Sequence, residues 1–254
     1  MCEGVCGSMR MYALKTMAAR AALAVLPMVP ASAFAMEFST VPIDNRCDEI
    51  SCRRAVVAEG EITSESPSQF SQFLRRQLQV PGLHAVVFLN SPGGNVESSL
   101  QLGALLHSAG AAVVIGRPVI LSAQAQLQSQ NRAQSQNRAA KRQVMGSLGV
   151  VPGHCASACV YSLMGARKRV VPAAARVGVH RMSARTAMRD PAGGGTQTGR
   201  IFAGDREIHA LRSYVSRVGG SQDLISLAES IPPDQIRILS ADELRRFRLG
   251  IPSL

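Results

Sequence analysis

Tryptophan is absent from this 254-residue chain, and aromatic residues make up only 4% of it. A core without large rings has to be built from Ala, Val, Leu and Ile, with helices and strands brought close together. The same scarcity removes the stacking platforms on which single-stranded nucleic acids are held. Acidic residues are also few: 17 Asp and Glu stand against 28 Lys and Arg, a formal net charge of +11. A basic balance invites a nucleic-acid reading, but the basic residues are scattered or lie on helix faces such as Arg245-Arg246, and no zinc-finger or RNA-binding signature appears. No nucleic-acid partner is therefore expected, and attraction to anionic membrane surfaces explains the charge as cheaply. Long hydrophobic runs are missing too. The best apolar stretch, Ala21 to Leu26, is interrupted by Pro27 and Pro30 and is too short for a good membrane span.

That stretch has another use. Arg10, Lys15 and Arg20 precede it and Ala33-Phe34-Ala35 follows it, so residues 1–35 read as a secretory signal cleaved before Met36, with an uncleaved membrane anchor as the alternative. A periplasmic or otherwise exported protein is expected. Cys2 and Cys6 leave with the leader, and Cys47, Cys52, Cys155 and Cys159 remain. Cys47 and Cys52, close together in a polar N-terminal segment spanning 36–54, are the preferred disulfide. Cys155 and Cys159 fall four apart in an expected helix, where Cβ atoms stand about 5–6 Å apart, farther than a relaxed disulfide wants. They read as small buried thiols. A zinc site from His154, Cys155 and Cys159 lacks a fourth ligand, so no metal or cofactor is expected.

From residue 55 to 254 the chain alternates strand and helix signals, which fits one α/β domain. Strands are expected at 55–62, 85–90, 111–115, 169–171, 176–180 and 236–239. A helix should start at Ser66-Pro67 with an apolar stripe of Phe70, Phe73, Leu74 and Leu78, and others should cover 96–108 and 204–218 and begin near 221 and 240. Strand, helix and strand between 85 and 115 argue a parallel βαβ unit. An insertion at about 118–150 interrupts the rhythm with a direct duplication, Gln128 to Ala133 repeated as Gln134 to Ala139, and is placed outside the core. The Gly-, Arg- and Thr-rich residues from 181 to 199 read as a mobile loop.

Two stretches carry chemistry. Gly153-His154-Cys155-Ala156-Ser157-Ala158-Cys159 passes from small residues into the apolar run Val160 to Met164. A serine there, in the first turn of a buried helix, would be fixed by packing beside free backbone N–H groups. Asn90-Ser91-Pro92-Gly93-Gly94-Asn95 follows an apolar strand, and its glycines allow a tight turn whose N–H groups can point at a bound carbonyl.

With these pieces in this order, residues 55–252 outside the insertion resemble the ClpP-like serine peptidases of the ClpP/crotonase superfamily, exported members above all. Asn90 to Gly94 looks like the family's oxyanion loop, Ala156-Ser157-Ala158 like its nucleophile region, Val177 to His180 like the strand that delivers the histidine, and Leu239 to Leu244 like its closing strand-to-helix step. The resemblance implies repeated ββα units, a parallel sheet with flanking helices, a peptide or protein substrate and a homo-oligomer. Carried over, Ser157 is the nucleophile, His180 the general base, and the N–H groups of Gly94 and Ala158 the oxyanion hole. The family's aspartate falls on Ile236, which cannot orient an imidazole. Asp234 is the substitute two residues earlier, and Asp190 a weaker one. Two other classes compete: a non-catalytic binding or assembly protein on the same fold, and an acyl-thioester enzyme, which an exported location disfavours.

Overall fold

A strand without polar alternation is expected to be buried on both faces, and β3 (Leu83–Asn90) buries its second half, Val87 to Asn90, while pairing with the parallel neighbours β2 (Arg54–Glu59) and β4 (Ala112–Leu121). The computed structural model describes residues 34–43, 53–79, 81–121, 147–189 and 196–253. In it the main sheet runs β1–β2–β3–β4–β7–β12, with β1 at Glu37–Pro42, β7 at Lys168–Pro172 and β12 at Ile251–Ser253. Every pairing from β2 to β12 along that path is parallel. β1 is antiparallel at the edge, so the segment preceding residue 55 contributes a strand of its own. β5 (Ser147–Pro152) pairs antiparallel with β4. A smaller sheet is ordered β11–β8–β6, from Arg237–Ile238, Arg176–Val179 and His154–Ala156. The chain is thus an α/β protein with a mainly parallel sheet and flanking helices.

The helices are α1 (Ser66–Gln77), α2 (Val96–Ser108), α3 (Cys159–Gly165), α4 (Asp205–Arg217), α5 (Asp223–Ser230) and α6 (Ala241–Arg246). Their starts follow local chemistry. The Asn95 side chain accepts from Ser98 N–H at 2.8 Å, and Ser240 and Glu243 satisfy each other's N–H groups in a capping box. At α1 the cap position is Glu65, and the hydroxyl of Ser66 instead accepts from Thr63 N–H at 2.9 Å. Phe70 and Phe73 are buried as expected, but Leu78, just past the last turn, is exposed. The small-residue core brings α2 and α3 into backbone contact: a Cβ on Gly165 would overlap the carbonyl group of Gly103. Ser162 Oγ donates to Ser99 C=O at 2.9 Å across the same seam, and Tyr214 OH, from α4, donates to Tyr161 C=O of α3 at 2.8 Å.

Two expectations change. The mobile loop after His180 is a β-hairpin, β9 (Ser183–Arg189) against β10 (Thr196–Phe202), with seven paired residues on each strand. A ladder needs only backbone groups, so small and polar side chains do not forbid it; the glycines at 193–195 lie in the connection, outside the described residues. The insertion is a strand extension at both ends, because β4 continues to Leu121 and pairs there with Ser147. The duplicated residues 128–139 lie outside the described residues, as do the leader up to residue 33, Asp190, and Cys47 with Cys52. Among the described residues no helix is long and apolar enough to cross a membrane.

Candidate active site

In a parallel sheet the carboxyl ends of the strands leave backbone groups and loops free for a ligand, and here three such ends meet. β6 runs parallel to β8, pairing Cys155 with Val177 and Ala156 with Gly178, while Ser91 at the end of β3 bridges to Cys155. Ser91 N–H donates to His154 C=O at 2.9 Å and accepts at its own C=O from Ala156 N–H at 3.1 Å. Asn90 braces the junction. Its side chain accepts from His154 N–H at 2.9 Å and donates to Glu59 at 3.1 Å, and Glu59 pairs with Arg117. Burial, with Arg117 nearby, holds the His154 imidazole below its usual pKa, against the opposing charge of Glu59.

Ser157 follows β6 directly and does not belong to the helix. Its φ is +54°, and among the described residues Arg248 is the other non-glycine with positive φ. Such a backbone costs on the order of 1 kcal/mol or more for an L-residue. It makes Ser157 the corner of a sharp strand-to-helix turn, with Ala158 at the N-cap of α3. Ser157 N–H donates to Gly178 C=O at 2.8 Å, and Ser157 C=O accepts from Val160 N–H at 3.1 Å.

The corner also corrects the cysteine reading. Cys155 and Cys159 are not one helical turn apart, because the strand, the left-handed corner and the helix start lie between them. Their Cα atoms are 5.3 Å apart and they form a disulfide, a separation in the ordinary range. With each sulfur bonded to the other, neither can serve as a thiolate ligand to zinc.

The Gly93-Gly94 turn abuts the corner. A Cβ on Gly93 would lie 2.8 Å from Ser157 Cβ, 2.6 Å from Ala156 O and 3.1 Å from Ala158 N, and the φ of +107° excludes other residues as well. Gly94 has φ +130° and bridges to Ile62. Ile62 N–H donates to Gly93 C=O and Ile62 C=O accepts from Asn95 N–H, both at 2.7 Å. The N–H groups of Gly94 and Ala158 have no hydrogen-bond acceptor among the described residues. They are the pair that the family resemblance implies for an oxyanion.

His180 stands at the end of β8, one residue past its last paired position, half-buried. No hydrogen bond joins it to Ser157, and its Nδ1 is buried with no hydrogen-bond partner among the described residues. Asp234 does not fill that role: it is exposed, in the turn closed by Gln235 N–H on Pro232 C=O. The β8–β11 ladder ends at the Arg237–Val179 pair, and Ile236 and His180 are the residues that follow on each side of it. Ile236 lies over Gly178, where an added Cβ would come 2.5 Å from its Cγ2. The structure therefore brings Ser157, Gly94 and Ala158 into one corner with His180 on the neighbouring strand, and leaves Asp234 out.

A cleft of about 650 Å³ opens beside Gly94, between Ile62 and Asn95 on one side and Met182, Ile201 and Phe202 on the other. The base of the β9–β10 hairpin walls it. Arg181 holds that wall, its guanidinium 4.4 Å from the centre of the Phe202 ring and its Nε 3.4 Å from Glu229, which also accepts from Met182 N–H at 3.2 Å. Sequence reading missed the cleft because it is made by a hairpin without a hydrophobic signal.

An α/β chain with a serine at a strand-to-helix corner and two uncommitted N–H groups beside it has the layout of a nucleophile elbow. No family model and no curated protein matches the sequence. Among solved structures the chain is similar to a mutant of the 1510-N membrane-bound stomatin-specific protease, with 14% identity over 76% of this chain and 75% of that one and a TM-score of 0.43. A second mutant of that protease, in complex with a substrate peptide, matches with 15% identity over 76% and 71%, also at 0.43. ClpP1 from Listeria monocytogenes matches with 17% identity over 76% and 88% at 0.38. Likenesses of this size assign no residue a role.

Proposed function

We propose that the protein is an exported serine hydrolase that cleaves peptide bonds, with Ser157 as nucleophile, His180 as general base and the N–H groups of Gly94 and Ala158 as oxyanion donors. The observation that carries this reading is the corner itself: Ser157 is held at positive φ, and the adjacent Ala158 N–H and the Gly94 N–H have no acceptor among the described residues. Ser157 Oγ would attack the scissile carbonyl as His180 takes its proton. The developing O⁻ would be met by the two N–H groups, each of the kind worth about 3–4 kcal/mol in acyl transfer, and His180 would return the proton to the leaving amine. The cleft beside Gly94 is the place for the peptide. Cysteines in a disulfide fit an oxidising compartment, and the basic segment before the apolar run of the leader fits export.

One observation favours a second reading, a binding protein on the same fold: among the described residues His180 makes no hydrogen bond to Ser157 and no acid is hydrogen-bonded to its Nδ1. Labelling with a fluorophosphonate probe separates the two. A hydrolase labels at Ser157, and both Ser157→Ala and His180→Ala lose the label while keeping the fold by circular dichroism. Folded wild-type protein that takes no label at Ser157 overturns the hydrolase reading.

A further inference from the structure

The Cys155–Cys159 bond closes a ring of five residues with Ser157 at its middle. So short a loop restrains little of the unfolded chain, since the entropic effect of a cross-link grows with the length it spans. What it restrains strongly is the three residues between the sulfurs. Both cysteines are fully buried, one in β6 and the other at the first position of α3. The residue between them that departs from ordinary backbone is Ser157, at φ +54°, where a serine pays a cost that glycine would not. Besides the β6–β8 ladder at Cys155 and Ala156, the corner is held by single hydrogen bonds, among them Ala156 N–H to Ser91 C=O, Ser157 N–H to Gly178 C=O, Val160 N–H to Ser157 C=O and Tyr161 N–H to Ala158 C=O. Without the ring, Ser157 could relieve its strain by swinging toward the helical or extended region, which would pull its N–H from Gly178 and move Ala158 N away from Gly93.

We propose that Cys155 and Cys159 are positioning residues: their cross-link holds Ser157 in the left-handed conformation and keeps the Ala158 N–H beside the Gly93-Gly94 turn. Its effect on catalysis rests on Ser157 being the nucleophile, whereas its effect on the backbone does not. A cross-link that merely ties β6 to α3 would not distinguish position 157 from its neighbours. This one does, because the strain it holds sits at that residue.

The test is a cycle of four full-length proteins: wild type, Cys155→Ala with Cys159→Ala, Ser157→Gly, and the triple variant. Amide exchange at residue 157 is read by NMR, and thermal midpoint and probe labelling are read alongside. Removing the cross-link is expected to speed exchange of the Ser157 amide by about tenfold or more, an added local opening, and to slow labelling to a similar degree. Ser157→Gly should restore protection in the background without the disulfide and change it little in the cross-linked one, a non-additivity that only strain at this residue produces. Equal effects of Ser157→Gly in both backgrounds, or unchanged exchange when the cysteines are removed, overturn the proposal. If wild type takes no label, the hydrolase reading falls and the exchange cycle still decides this one. Should the alanine variant not fold, wild-type protein reduced with a phosphine takes its place in the exchange measurement, with the same two outcomes.

Discussion

His180 has a buried Nδ1 with no hydrogen-bond partner among the described residues, and continuing the β8–β11 register one step past its last pair, Arg237–Val179, would bring Ile236 opposite it. Directly opposed residues on an antiparallel pair have Cβ atoms about 4.5–5.5 Å apart, which is within reach of a carboxylate. Ile236→Asp is therefore expected to raise the rate of Ser157 labelling by about tenfold or more, since an acid that orients the imidazole is worth up to about 10⁴ where it is native; unchanged labelling in a folded variant would show that β11 does not serve the histidine. Gly93 can be tested against Gly110. Both have positive φ, but an added Cβ meets Ala156 and Ser157 at the first and nothing within 4 Å at the second. Gly110→Ala should cost about 1 kcal/mol for the backbone alone, and Gly93→Ala about 3 kcal/mol or more with loss of labelling; similar losses by thermal melting would contradict the tight corner. His154 predicts a pH dependence. Its folded pKa lies below the ordinary value because burial disfavours the charged ring, so between the two values the unfolded chain binds more protons. Stability is full above about pH 6.5 and declines as pH falls from there toward the folded value. Denaturant midpoints should fall less over that window in His154→Gln than in wild type.

Helix α3 ends on an arginine from outside it. Arg169, on β7, donates to Leu163 C=O at 3.2 Å, to Met164 C=O and, beyond the helix, to Val218 C=O at 3.3 Å and Arg248 C=O. A cation at the C-terminal carbonyls meets both their unpaired lone pairs and the negative end of the dipole. Replacing it with methionine keeps much of the stem and strands the carbonyls, so Arg169→Met is expected to destabilise the protein by about 2–3 kcal/mol in denaturant titration. A loss below about 0.5 kcal/mol would mean that water replaces the guanidinium. Elements with this kind of local signal were legible in sequence. Helix α2 runs from Val96 to Ser108 as expected because Asn95 caps it and a glycine turn precedes it, and α6 follows its capping box. Elements made by the backbone alone were not: β6 has three residues, and the β9–β10 hairpin no apolar stripe, whereas the strand expected at 236–239 is present as the short β11. The same limit shaped the site. Ser157 and the Gly93-Gly94 turn stood out by residue type, but the left-handed corner that permits the Cys155–Cys159 bond depends on β6 pairing with β8 and β3, and no spacing within the motif reveals a long-range pair.

At the scale of the whole molecule, the site is built from residues far apart in sequence, and the Gln-rich repeat falls between two of its contributors. Gly94 precedes the insertion and Ser157 follows it, so the corner forms only if the chain returns in register after residue 146. The ladder between β4 and β5 secures that return: six residue pairs run from Gly116–Pro152 out to Leu121–Ser147, and the next step of β5 leads through Gly153 into β6. Gly153 itself is pressed against Asn90 and Gly116, with an added Cβ only 2.6 Å from Asn90 Oδ1. The register is thus set inside the domain, before the repeat is reached. Loop closure changes by only about 0.6 kcal/mol for each halving of loop length. Deleting residues 128–139 is therefore expected to move the thermal midpoint by no more than about 3 °C and to leave labelling of Ser157 within about twofold of wild type, and light scattering on the same sample reads whether the assembly state is kept. A midpoint lowered by 10 °C would place the repeat in the core. Labelling lost at an unchanged midpoint would instead mean that the repeat reaches the cleft, and that the site is completed by residues lying between its two halves in the sequence.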